Sequence, residues 1–154
     1  TPRRASKRRH NRMAAEILNR QRRYPVDAQR LIGIADATVA EAGHPGREVS
    51  VTITNDRRLH ELNLRYRGKN RPTDVLSFPY DEPDGPIGDV VISVDRALAQ
   101  AAEKGHDLQR ELDILVLHGS LHVCGYDHET DNGEMDRIER RLRRRLLARN
   151  ESND

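Results

Sequence analysis

Apolar and polar positions change period several times along the chain, and each change predicts an element. The segment 48–55, EVSVTITN, alternates with period two and is rich in Val, Ile and Thr, the mark of a half-buried strand. Segments 73–80 (TDVLSFPY) and 88–94 (GDVVISV) read the same way, with Pro79 placing the first of them at a strand end or a sheet edge. A shorter strand is predicted over 14–21 and is ended by Pro25. Helical spacing governs the rest. Leu31, Ile34, Ala35, Thr38 and Val39 predict a helix over 26–42, closed by Gly43. Leu59, Leu62 and Leu64 predict a second helix, capped by Asn55 or Asp56 and running out near Tyr66. Asp95 starts and Gly105 stops a third, and Asp107 caps a fourth, which carries Leu108, Leu112, Leu115, Leu117 and Leu121. Asp131, with Glu134 three residues on, resembles a capping box opening a last helix through Met135, Ile138, Leu142, Leu146 and Leu147. The expected architecture is α+β: one domain, a small mixed sheet of about four strands packed with about five helices on one main face.

The fourth helix carries histidines on an otherwise apolar pattern. His118 and His122 are four residues apart, so both imidazoles project to one side with the spacing that chelates a single ion. Gly125 is placed to end the helix in a left-handed turn that folds the chain back over its last turn, which lets His128 supply a third nitrogen. Asp127 is an alternative third ligand. Cys124, two residues past His122 and about 200° around the helix, points toward the core. Three histidine donors leave one position of a tetrahedral zinc ion open, the feature that separates catalytic from structural sites; nickel, copper and other divalent metals also suit imidazole. Zinc peptidases carry Glu directly after the first histidine as general base, whereas this chain has Gly119, which disfavours peptide hydrolysis. Gly119 in a helix is accounted for either by close approach of a substrate or by tight helix packing.

The block HGSLHVCGYDH resembles the signature of the YbeY endoribonucleases, three histidines spaced His-x3-His-x5-His followed by an acidic stretch. LNLRYRGKNRPTDVLSFPY and IGDVVIS resemble that family's other blocks, in the same order. The resemblance implies a metal-dependent, single-strand-specific endoribonuclease acting on rRNA in maturation and ribosome quality control, with the small ribosomal subunit and its associated factors as partners. It further implies a catalytic role for Arg67, which matches the arginine that the family pairs with the histidines. The residues themselves support a phosphodiester substrate, because Arg67 can present a planar fork to phosphate oxygens, and Lys69 and Arg71 in the same basic loop are candidate RNA-binding charges. Two other readings fit the ligand set: a metal-dependent hydrolase of another substrate, and a ribosome-assembly factor whose metal is structural.

Composition narrows the field further. The 154 residues include no Trp and one Phe, which argues against a broad aromatic platform as the main binding mode. Of the 27 basic residues, six fall in residues 1–12, a basic tail of disordered character, leaving 21 against 25 acidic groups over the rest. The domain expected over 13–150 is therefore net negative, and any polyanion has to be gripped by local basic patches. The last helix carries one, with six arginines between Arg137 and Arg145, although such runs are most often solvated faces. A single cysteine excludes an internal disulfide, and no apolar run is long enough to span a bilayer, so a cytoplasmic, non-membrane protein is expected.

Overall fold

The computed structural model describes residues 14–147. The basic tail predicted over 1–12 and the last residues of the predicted domain lie outside them. The elements run β1 (Glu16–Asn19), α1 (Ala28–Glu41), β2 (Val49–Thr54), α2 (Asp56–Arg67), β3 (Val75–Pro79), β4 (Gly88–Ser93), α3 (Val94–Lys104), α4 (Leu108–Val123) and α5 (Glu134–Leu146). The four strands make one mixed sheet in the order β1-β2-β4-β3. The β1/β2 and β2/β4 pairs are parallel, and β3 lies antiparallel to β4 at the edge, with Pro79 opposite Gly88 at the end of the ladder. A proline is tolerated there because an edge position does not need its missing N–H.

The period-two stretches set the two faces of the sheet. Val49, Val51 and Ile53 of β2 and Val90 and Ile92 of β4 are buried in a core completed by Leu31, Ile34 and Val39 of α1 and by Leu112, Leu115 and Leu121 of α4. Ser50, Thr52 and Val91 alternate with them and look out from the opposite face. α4 is the central helix: it packs against α1, α3, α5 and the β3–β4 half of the sheet. Its N-terminal half buries two acids with partners. Asp113 accepts from Arg30 Nε at 2.8 Å, and Glu111 pairs with His106 at 2.7 Å and Lys104 at 3.2 Å. Desolvation nevertheless raises the Asp113 carboxyl above its ordinary range.

Several ends differ in detail from the predicted ones. α3 is capped by Ser93, whose side chain accepts from Arg96 N, and Asp95 sits inside the first turn, where it receives Asp56 N. α5 has Gly133 at its N-cap with φ +93°, and Asp131 acts from two residues earlier by accepting from Gly133 N and Met135 N, which also lowers its own pKa. In α2 Leu64 is exposed and Asn63 is buried instead. Hydrogen bonding explains the exchange. Asn63 Nδ2 donates to Arg71 O at 2.9 Å while its backbone carbonyl accepts from Lys69 N, so a buried amide holds the basic loop against the helix end.

Two glycines let α4 sit close on the sheet. A Cβ at Gly119 would lie 2.6 Å from Val90 Cγ1, and one at Gly88 would lie 2.8 Å from both Phe78 O and Val123 Cβ. Tight packing therefore accounts for Gly119, and Ser77 Oγ donates to its carbonyl from β3 at 3.2 Å. Gly119→Ala is expected to lower stability, by up to about 2 kcal/mol, because forcing a methyl into a filled core costs about 1–3 kcal/mol against the roughly 1 kcal/mol of helix propensity it returns. Denaturant titration reads this directly; an unchanged or higher midpoint would mean that Val90 yields freely.

Candidate metal centre and cleft

The close seating of α4 puts its C-terminal turns beside the edge strand β3, and the histidines stand there. His118 and His122 lie one turn apart with ring centroids at 4.7 Å. Beyond them the helix ends in a Schellman turn: Gly125, at φ +103°, donates to His122 O and Tyr126 donates to Leu121 O. That reversal returns His128 to within 5.9 Å of His118 and 5.8 Å of His122, centroid to centroid. One ring nitrogen from each of the three lies within 4.8 Å of the others, a spacing that one ion can bridge. Asp127 lines the same cleft but does not join this close donor group, and its carboxylate accepts from Glu129 N. Cys124 packs against the core, where burial pushes its thiol up to about 11.

The surroundings keep the His122 ring biased toward its neutral form and orient the His118 ring. Burial, reinforced by the adjacent His118 and His128 rings, holds the His122 pKa below the ordinary histidine value, and Asp127 opposes this only in part. His118 Nδ1 lies 3.1 Å from Glu139 Oε1 on α5. A carboxylate at that nitrogen keeps the proton on Nδ1 and leaves Nε2 free as a donor, the usual arrangement behind a metal-binding histidine. Sequence reading does not single out Glu139, which stands among the arginines of the last helix. Its only signal was a carboxylate on the side of the last helix that is next to its apolar stripe. The donor chemistry thus fits a divalent transition-metal ion: three nitrogens, one of them backed by a carboxylate, with an open side.

The open side is a cleft of about 660 Å³ between the histidines, the edge strand and the end of α2. Arg67 lines it. It is the last residue of α2, which Gly68 ends in the left-handed conformation at φ +68°, and its Nη2 donates to Ser77 O at 3.4 Å. Ser77 and Pro79 of β3 form the neighbouring wall, and Asp74, Asp127 and Glu129 add carboxylates. Fold and cleft thus bring Arg67 together with all three histidines. Lys69 and Arg71 are exposed and stand outside the cleft lining.

Similarity to known proteins extends across nearly the whole of the described residues. A family model described as Endoribonuclease YbeY matches residues 16–148. The chain is 49% identical over 120 residues to the Endoribonuclease YbeY of Desulfitobacterium hafniense, covering 70% of this chain and 76% of that one. It is 40% identical over 148 residues to the Endoribonuclease YbeY of Aquifex aeolicus, covering 94% and 95%. Among solved structures, the solution structure of TM1509 from Thermotoga maritima superimposes with a TM-score of 0.63 at 28% identity, covering 90% of this chain and 93% of the other.

Proposed function

The chain belongs to the YbeY endoribonuclease family, and from that premise we propose that it is a metal-dependent, single-strand-specific endoribonuclease acting on rRNA in maturation and ribosome quality control. His118, His122 and His128 would hold one divalent ion, zinc by preference, and Arg67 would act on the scissile phosphate. The observation that carries this reading is the convergence of three imidazole donors and one arginine on a single open cleft. A structural zinc is closed by four protein ligands, whereas here the close donor group among the described residues numbers three and faces open space.

Charge supports the same conclusion. Asp74, Asp127 and Glu129 line the cleft against Arg67 alone, so a polyanion is repelled unless a cation sits among the histidines. The cleft has the volume of a small-molecule site, which suits part of an unpaired strand and not a duplex. When bound, the ion would supply Lewis acidity toward the phosphoryl group and make hydrolytic water more acidic. The chain's own residues do the remaining work. Arg67 offers a bidentate fork to oxygens that gain charge as the bond to phosphorus breaks, and the donor already spent on Ser77 O fixes its reach. Glu139 keeps the His118 ring in one tautomer and orientation. The setting is proposed to be the cytoplasm, with the small ribosomal subunit as partner; among the described residues no helix is long and apolar enough to cross a membrane.

Elemental analysis of the purified protein, coupled with cleavage of a single-stranded and a duplex RNA before and after chelation, tests the reading. About one ion per chain and chelator-sensitive cleavage of the single strand are expected; metal-free protein that still cuts, or loaded protein that does not, would remove it. Glu139→Gln is a finer check. Losing the carboxylate behind His118 is expected to weaken metal affinity about 10- to 100-fold with little change in folding, measured by competition with a chelator. Unchanged affinity would make Glu139 a surface partner only.

A further inference from the structure

A second cavity, of about 800 Å³, lies on the outer face of the sheet. Its floor is the set of residues that alternate with the core, including Ser50, Thr52 and Val91, and Arg20 and Arg58 stand at its sides. Tyr66 and Phe78 form its wall toward β3. Tyr66 directly precedes Arg67 on α2, and Phe78 lies between Ser77 and Pro79 on β3. Arg67, Ser77 and Pro79 line the histidine cleft, so the two cavities meet across the edge strand and the end of α2. A strand alternates its side chains between faces, and this is why adjacent residues serve different cavities.

Tyr66 has the features of a prepared surface. Among the described residues it is the most exposed of the large apolar side chains, at 60%. Its ring is nonetheless held on two sides: Phe78 meets it edge-on with centroids 5.5 Å apart, and the Arg65 guanidinium lies 5.6 Å from its centroid. An exposed ring fixed in place loses little freedom when a second ring stacks on it. A flat π-face next in sequence to Arg67, the cation that lines the histidine cleft, matches the chemistry of a nucleotide, base on the ring and backbone on the cation.

We propose that Tyr66 is a stacking platform for a base of the RNA strand that passes from the histidine cleft over β3 into the outer groove. The proposal rests on the endoribonuclease reading and adds to it a nucleotide-binding position next to the cleft, with Tyr66 as a binding residue and not a catalytic one. One exposed ring of this kind is compatible with a chain poor in aromatics. A single stacked base is enough to set register while phosphate contacts carry the rest.

The chain has no tryptophan, so Tyr66→Trp places a single indole fluorophore at the platform. Metal-loaded Tyr66→Trp protein is titrated with adenosine and uridine octamers made hydrolysis-resistant as 2′-O-methyl phosphorothioates, while wild type, Tyr66→Phe and Tyr66→Ala are assayed for cleavage of the unmodified RNAs with metal present. Saturable quenching of the indole fluorescence by the octamers is expected. The KM of Tyr66→Ala is expected to rise about tenfold with kcat kept, as the loss of one stacked base implies; Tyr66→Phe is expected to match wild type. Tyr66 is exposed, and a thermal melt of each variant separates a folding defect from lost binding. Wild-type cleavage with unquenched indole fluorescence and an unchanged KM for Tyr66→Ala would overturn the platform and leave the endoribonuclease reading intact. A wild type that cuts no RNA would overturn that reading instead, and quenching by the octamers would still establish the platform as a binding site.

Discussion

His122→Ala is expected to abolish stoichiometric metal binding and to lower RNA cleavage by about 10³-fold or more, while the fold survives. Of the three histidines it carries the most informative environment: its ring stands beside both others, and burial, reinforced by those two rings, holds its pKa below the ordinary histidine value and so favours the form that binds metal. Losing one nitrogen of three leaves a two-point chelate that cannot hold a divalent ion in dilute buffer. The chemistry then loses the several kcal/mol of charge stabilisation that a metal contributes, which is the origin of the rate estimate. Metal content by mass spectrometry and cleavage rate at saturating RNA are the two measurements, with a melt as control. Because only the neutral ring binds, metal should also be released as the pH is lowered; the depressed pKa of His122 favours retention to a lower pH than an ordinary histidine would allow. A loaded, active alanine variant would relocate the metal.

Arg67→Ala should lower kcat about 10²- to 10³-fold with metal content unchanged. The side chain donates to Ser77 O from the end of α2 and lines the same cleft as the histidines. Removing one preorganised donor from a developing negative charge typically costs this much. Arg67→Lys should remain well below wild type, because an ammonium replaces two parallel bonds with a point charge. Loss of kcat together with kcat/KM would mark action on the transition state, whereas a raised KM alone would assign Arg67 to ground-state binding. Wild-type turnover by the alanine variant would take Arg67 out of the reaction.

Local geometry was already legible in the chain. Period-two stretches became β2 and β4 with the expected faces, and the leucine pattern of α4 with histidines four apart became a buried helix presenting two rings on one side. Gly125 could be read as a left-handed stop, and the return of His128 follows from it, because a turn is decided by the conformational freedom of a few adjacent residues. Packing in three dimensions settled which distant elements meet. β3 precedes β4 in the chain but lies outside it in the sheet, and that placement makes Ser77 and Pro79 a wall of the cleft and puts Arg67 beside them. Glu139 reaches His118 from 21 residues away only because α5 packs on α4. Gly119 carried two explanations until the distance to Val90 selected packing, and Asn63 replaced Leu64 in the interior because a basic loop needed a buried amide to hold it. Each of these depends on side-chain volume and on hydrogen-bond satisfaction between elements far apart in sequence, quantities that no local period encodes.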